Sequence, residues 1–239
     1  MVFWIVSIKR ASMKLCVALD LDRKEENLKI IHKIKDCDLW LKVGLRSYIR
    51  DGQDFLDEIK QISPNLKIFL DLKLYDIPNT TADAAMEIAN LGVDMFNIHA
   101  SAGKEAMSEV MKRIKTLSNP PKVLAVTALT SFDEAGFRDV YNNDLNQTAI
   151  KFAKDAYLCG LDGVVSSVYE SKAIKANTSG DFITLTPGIR PFSEDSGDQK
   201  RVADIAMAKE NLVDFIVVGR PIYKSDDPLG VVQRILEKL

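Results

Sequence analysis

Eight short apolar runs, each followed by an amphipathic stretch, restrict the fold of this chain more than any other feature in it. The runs lie at 15–20 (LCVALD), 39–43, 67–72 (KIFLDL), 94–98, 122–127, 162–166, 182–186 and 214–218. They are almost continuously apolar, the pattern of strands buried on both faces of a parallel sheet. The segments between them have helical periodicity. Residues 24–35 place Leu28, Ile31 and Ile34 on one face, and 80–91 do the same with Ala84, Ile88 and Leu91 behind a capping Thr80 or Thr81. Further helices are predicted at 52–62, 103–117, 145–159, 169–176, 201–211 and 228–238. Strict strand–helix alternation builds either a doubly wound sheet or a closed barrel. Eight units in 239 residues fit a single-domain (β/α)8 TIM barrel, which typically needs about 250 residues. No GxGxxG follows the first run and no GxxxxGK[ST] occurs, so the commonest nucleotide motifs of the open sheet are missing.

Composition narrows the function. Apolar residues make up 46% of the chain, which excludes a disordered segment. With 32 Lys+Arg against 34 Asp+Glu the net charge is -2, which argues against a nucleic-acid surface. The apolar run Val2–Val6 is too short to span a bilayer and lacks the basic lead of a signal peptide, so no membrane partner is expected. Residues 1–12 are expected to be a non-native lead ahead of a natural start at Met13, with 13–239 as the barrel domain; a short extra strand or a plug at the barrel bottom is the alternative. Three cysteines without a CxxC fit a reducing, cytoplasmic setting, and two histidines leave little for a His-rich metal site.

Barrel chemistry sits at the C-terminal strand ends. There the first run closes on Asp20, the second on Lys42, and the third runs into Asp71, Lys73 and Asp76. Asp71 and Lys73 are two apart on a strand and share a face, at the barrel mouth. Lys42, Asp71, Lys73 and Asp76 alternate in sign, and such charges are costly inside a barrel unless paired. Ion pairs that merely fill the mouth are one reading; catalysis is the other. The seventh run leads into Thr186–Arg190 and then a polar stretch to Gln199, predicted to be a mobile lid. The eighth ends in Gly219 and Arg220, suited to a phosphate: glycine lets the backbone approach, and a guanidinium can hold two oxygens. His99 is read as hydrogen-bonding a neighbouring loop, Trp40 as packing, and Asp94 and Asp162 as residues of the opposite face.

The run DLKLYDIPNT at 71–80, with KVG at 42–44, TPGIR at 186–190 and VVGRPI at 217–222, resembles the orotidine 5'-phosphate decarboxylase family in its bacterial form. The likeness extends in order from residue 14 to about 238. It implies a carboxy-lyase that converts orotidine 5'-phosphate to UMP and CO2 in the last step of de novo pyrimidine synthesis, with no cofactor and no metal. By the same resemblance, Lys73 gives a proton to carbon 6 of the pyrimidine, Asp71 lies against the substrate carboxylate, and Lys42 and Asp76 complete the charged set. Asp20 and Lys42 would contact the ribose hydroxyls, Thr130 the pyrimidine edge, and Arg190, Gln199, Gly219 and Arg220 the phosphate. Asp76, Ile77 and Thr80 would reach into a neighbouring subunit's site, which makes the active unit a homodimer. Magnesium-dependent sugar-phosphate synthases and decarboxylases of the same superfamily are one alternative, although they resemble each other in having a glutamate where this chain has Lys42. A catalytically dead barrel that binds a phosphate is the other.

Overall fold

The computed structural model describes residues 12–192 and 201–239. Its eight strands are β1 (Lys14–Ala18), β2 (Trp40–Gly44), β3 (Lys67–Leu74), β4 (Met95–His99), β5 (Lys122–Val126), β6 (Gly163–Val165), β7 (Ile183–Thr186) and β8 (Phe215–Val218). Each pairs in parallel with the next, and β1 pairs with β8, closing the barrel. The predicted strands and their order are all present, with ends shifted by a residue or two. The expectation for residues 1–12 falls outside the described residues except at Ser12, and so does the acid-rich part of the predicted lid.

Two apolar layers explain why the runs look continuous. One set of strand residues, including Cys16, Trp40, Phe69, Met95, Leu124, Leu185, Phe215 and Val217, packs together inside the barrel. Their sequence neighbours, such as Val17, Leu41, Ile68, Phe96 and Val123, face outward and pack beneath the helices. Trp40 is the packing residue expected, meeting Phe215 edge-on at 5.3 Å. Below the barrel, Asp94, Asp162 and Asp214 each accept the backbone N–H of the preceding strand, at Ile68, Val123 and Thr184, all at 2.8 Å. This recurring staple confirms Asp94 and Asp162 as residues of the opposite face.

The helices depart from expectation at particular points. The helix expected at 52–62 begins at Leu45 and runs to Ile62 across a kink at Gly52, whose φ is 61°. Its first half hides its periodicity because Leu45 and Ile49 are exposed while Ser47 is buried, donating to the Leu19 carbonyl at 2.8 Å. The helix Pro78–Asn90 has no side-chain cap. Pro78 occupies its first turn, and Thr81 donates instead to the Asp76 carbonyl at 2.9 Å, so neither threonine caps it. Two short helices not foreseen, Glu134–Tyr141 and Arg220–Tyr223, interrupt the strict alternation.

Candidate active site

The inward-facing line of each strand continues past its last apolar residue into polar groups. Cys16 and Ala18 lead to Asp20, Trp40 to Lys42, Phe69 to Asp71 and Lys73, and Val217 to Gly219. Asp20, Lys42, Asp71, Lys73 and Gly219 line a cavity of about 320 Å3 at the C-terminal mouth of the barrel, within the range of about 300–1,000 Å3 for small-molecule sites. Thr130, Arg190 and Arg220 line it too. Eight of the residues singled out in the sequence therefore meet in one place.

The acids and bases form a chain. Lys42 Nζ lies 3.4 Å from Asp20 Oδ1 and 3.4 Å from Asp71 Oδ2. The other Asp71 oxygen accepts from Lys73 Nζ at 2.6 Å and from Asn97 Nδ2 at 2.7 Å. Burial alone would raise the Asp71 carboxyl, but the Lys42 and Lys73 ammonium groups and the bonds from Lys73 and Asn97 outweigh it and hold the pKa at about 2. Burial likewise opposes the charge on Lys42, and Asp71 and Asp20 overcome it and push the ammonium pKa up. A chain of this kind keeps fixed charge in a site shielded from water, which is what charge stabilisation in a reaction requires.

Asp71 and Lys73 do share the cavity, but not through regular alternation. The β3–β4 register shifts between Leu70 and Leu74, and Lys73 takes a left-handed φ of 56°. That conformation costs a non-glycine residue about 1–2 kcal/mol, a strain characteristic of functional sites. The bulge turns the lysine back onto the face that holds Asp71.

Asp76, Ile77 and Thr80 lie elsewhere. All three are exposed and none lines the cavity of its own chain, where the linked acids and bases are Asp20, Lys42, Asp71 and Lys73. The Asp76 carboxylate accepts the adjoining Ile77 N–H at 2.7 Å. Gln199 lies outside the described residues. His99 behaves as expected: its Nδ1 meets Ser101 Oγ at 2.6 Å, and its ring stacks on Tyr75 at 5.6 Å. Burial and the nearby Lys73 push its pKa down.

Sequence reasoning missed two polar residues. Asn97 is fully buried on β4, where the inward line from Met95 would have pointed to it. Arg201 pairs with buried Glu170 and reaches the Ala128 and Leu129 carbonyls at 3.5 and 3.4 Å. It thereby ties the chain that follows residue 200 to the segment carrying Thr130. Glu170 is held in turn by the Ser167 N–H at 2.7 Å in a capping box. No periodic pattern marks such a residue in sequence.

Fold and cavity together define a (β/α)8 barrel enzyme with an anion-ready, charge-lined mouth. The family model described as orotidine 5'-phosphate decarboxylase / HUMPS family matches residues 13–235. A protein of Nitratiruptor sp. named orotidine 5'-phosphate decarboxylase is 67% identical over 95% of this chain and 100% of its own length. One of the same name from Campylobacter jejuni strain RM1221 is 60% identical over 95% of this chain and 81% of its own. The crystal structure of orotidine 5'-phosphate decarboxylase from Lactobacillus acidophilus superposes with a TM-score of 0.83 at 35% identity, covering 95% of this chain and 99% of that one. The chain belongs to the orotidine 5'-phosphate decarboxylase / HUMPS family.

Proposed function

We propose that the Asp20–Lys42–Asp71–Lys73 chain carries out the reaction for which the relatives are named, decarboxylation of orotidine 5'-phosphate to UMP in the final step of pyrimidine synthesis. The observation that carries the assignment is the Lys73 ammonium, 2.6 Å from Asp71 at the barrel mouth. The bond from carbon 6 to the carboxylate carbon breaks, CO2 leaves, and the electron pair stays on carbon 6. The Lys73 ammonium stabilises that charge and then gives it a proton, after which water reprotonates the amine. Asp71 holds the ammonium and meets the substrate carboxylate. Asp20 and Lys42 face the ribose hydroxyls, and Thr130 faces the pyrimidine edge. Arg190, Gly219 and Arg220 take the phosphate, joined by Gln199 on the strength of the resemblance alone. Phosphate binding far from the reacting bond supplies energy that can be spent on the transition state.

Lys42 argues against the magnesium-dependent reading. Its ammonium stands 3.4 Å from both the Asp20 and Asp71 carboxylates and would repel a divalent ion there. The active unit is a homodimer in which Asp76, Ile77 and Thr80 enter the partner's site. Exposure of Tyr75 (65%) and Ile77 (67%) beside the mouth supports this, since two large apolar side chains gain from being covered. Residues 13–239 form the working domain and 1–12 an addition to it, a reading supported by a family match that begins at Met13. Three free cysteines and a water-soluble nucleotide substrate suit a cytoplasmic enzyme. No helix of the described residues is long and apolar enough to cross a membrane.

The test is loss of orotidine absorbance when purified protein meets orotidine 5'-phosphate in EDTA. Full turnover is expected. Turnover abolished by EDTA would support the magnesium reading, and none under any condition would leave a phosphate-binding barrel.

A further inference from the structure

Among the described residues, Asn97 is the buried amide side chain that touches the charged chain, and both of its ends are used. It stands at the middle of β4, two residues above Met95 on the inward line, and does not itself line the cavity. Its Nδ2 donates to Asp71 Oδ1 at 2.7 Å, and its Oδ1 accepts the Lys73 backbone N–H at 2.7 Å. The carboxylate can only accept and the backbone N–H can only donate, so the side chain between them must present one donor and one acceptor, as a neutral amide does. The bulge makes this contact necessary. Where the β3–β4 register slips, the Lys73 N–H loses its ladder partner, and a buried orphan donor is costly. Asn97 supplies the missing acceptor and, with its other end, fixes the oxygen that also receives the Lys73 ammonium.

We propose that Asn97 is a positioning residue for the decarboxylation, a splint from β4 that locks the bulged Lys73 backbone and the Asp71 carboxylate in one geometry. The inference rests on the reading that Lys73 and Asp71 perform the reaction. It assigns to Asn97 an effect on the chemical step rather than on substrate affinity, because the residue touches the reacting groups' supports and not the cavity. Small displacements of reacting groups are expensive to rate, so a splint two bonds away matters.

The experiment compares Asn97→Ala, Asn97→Asp, Lys73→Ala and Ser171→Ala in steady-state assays. Ser171 shares a buried 2.8 Å hydrogen bond with Thr184 away from the cavity and serves as the structural control. Asn97→Ala is expected to lower kcat about 10–100-fold with KM within about threefold, while Ser171→Ala leaves kcat near wild type. Asn97→Asp keeps the size and the acceptor for Lys73 but loses the donor to Asp71 when ionised. Its kcat relative to wild type should therefore rise as pH falls, because the protonated carboxyl regains a donor. The titratable groups around position 97 are Asp71 and Lys73 on β3, Lys42 on β2 beyond Asp71, and His99 on β4; the facing β5 residue is Leu124. If Asn97→Ala does not fold, the pH trend of Asn97→Asp decides alone. Wild-type kcat in Asn97→Ala, equal losses in Ser171→Ala, or a flat relative profile in Asn97→Asp would each overturn the proposal. An active Lys73→Ala would instead overturn the catalytic reading on which it stands.

Discussion

At Asp71 a single carboxylate serves two ammonium groups and an amide, and its charge is tied to the stability of the fold. Its pKa lies at about 2 against an ordinary 3.8, so the stabilisation is complete above about pH 4 and fades as pH falls toward 2. The shift corresponds to about 2 kcal/mol. Urea unfolding of wild type should thus lose stability more steeply between pH 4 and 2 than unfolding of Asp71→Asn; equal slopes would show that the carboxylate is not coupled to folding. Most of the residues at this mouth were legible because the inward period of two carries each strand's apolar line into its polar end. Lys73 is the exception in mechanism if not in outcome. The same-face argument assumes an extended strand, whereas the lysine reaches the cavity through a bulge that no spacing rule contains. Asn97 was passed over because a lone amide among apolar neighbours carries no charge pattern.

At the scale of elements, the loops above the strands are held by polar ties, exposed in one case and buried in another, rather than by apolar stripes. The first half of helix Leu45–Ile62 is an example. Arg46 Nη1 pairs with Asp22 at 2.8 Å, and Arg50 donates to the Leu21 carbonyl at 3.1 Å, clamping the segment that follows Asp20. The Arg201–Glu170 pair does the same for the segment that carries Thr130, with Glu170 almost fully buried. Arg201→Met would leave that carboxylate unpaired and should destabilise the protein by about 3–5 kcal/mol, read by urea unfolding. A loss below about 1 kcal/mol would mean that the pair is not a structural tie. Strands were legible to within a residue or two because burial on both faces dictates their composition. Most helix starts were equally legible; the one at Leu45 was not, because the kink at Gly52 interrupts the side-chain periodicity of that helix.

At the scale of the whole molecule, near-neutral charge conceals a strongly polarised mouth. An anionic substrate is not drawn by the net charge of -2. It would be met by Lys42, Lys73 and Arg220, whose charges are cancelled elsewhere in the total. The arrangement also leaves Asp76 outside the cavity of its own chain, so the account needs a second chain to complete the charged set. The most direct test of that account mixes Lys73→Ala and Asp76→Ala proteins, each nearly inactive alone, and lets their subunits reassort. Random pairing puts both lesions in one site of each hybrid and neither in the other, so the account predicts recovery of about a quarter of wild-type turnover. No recovery despite confirmed exchange, or substantial activity in Lys73→Ala by itself, would contradict it.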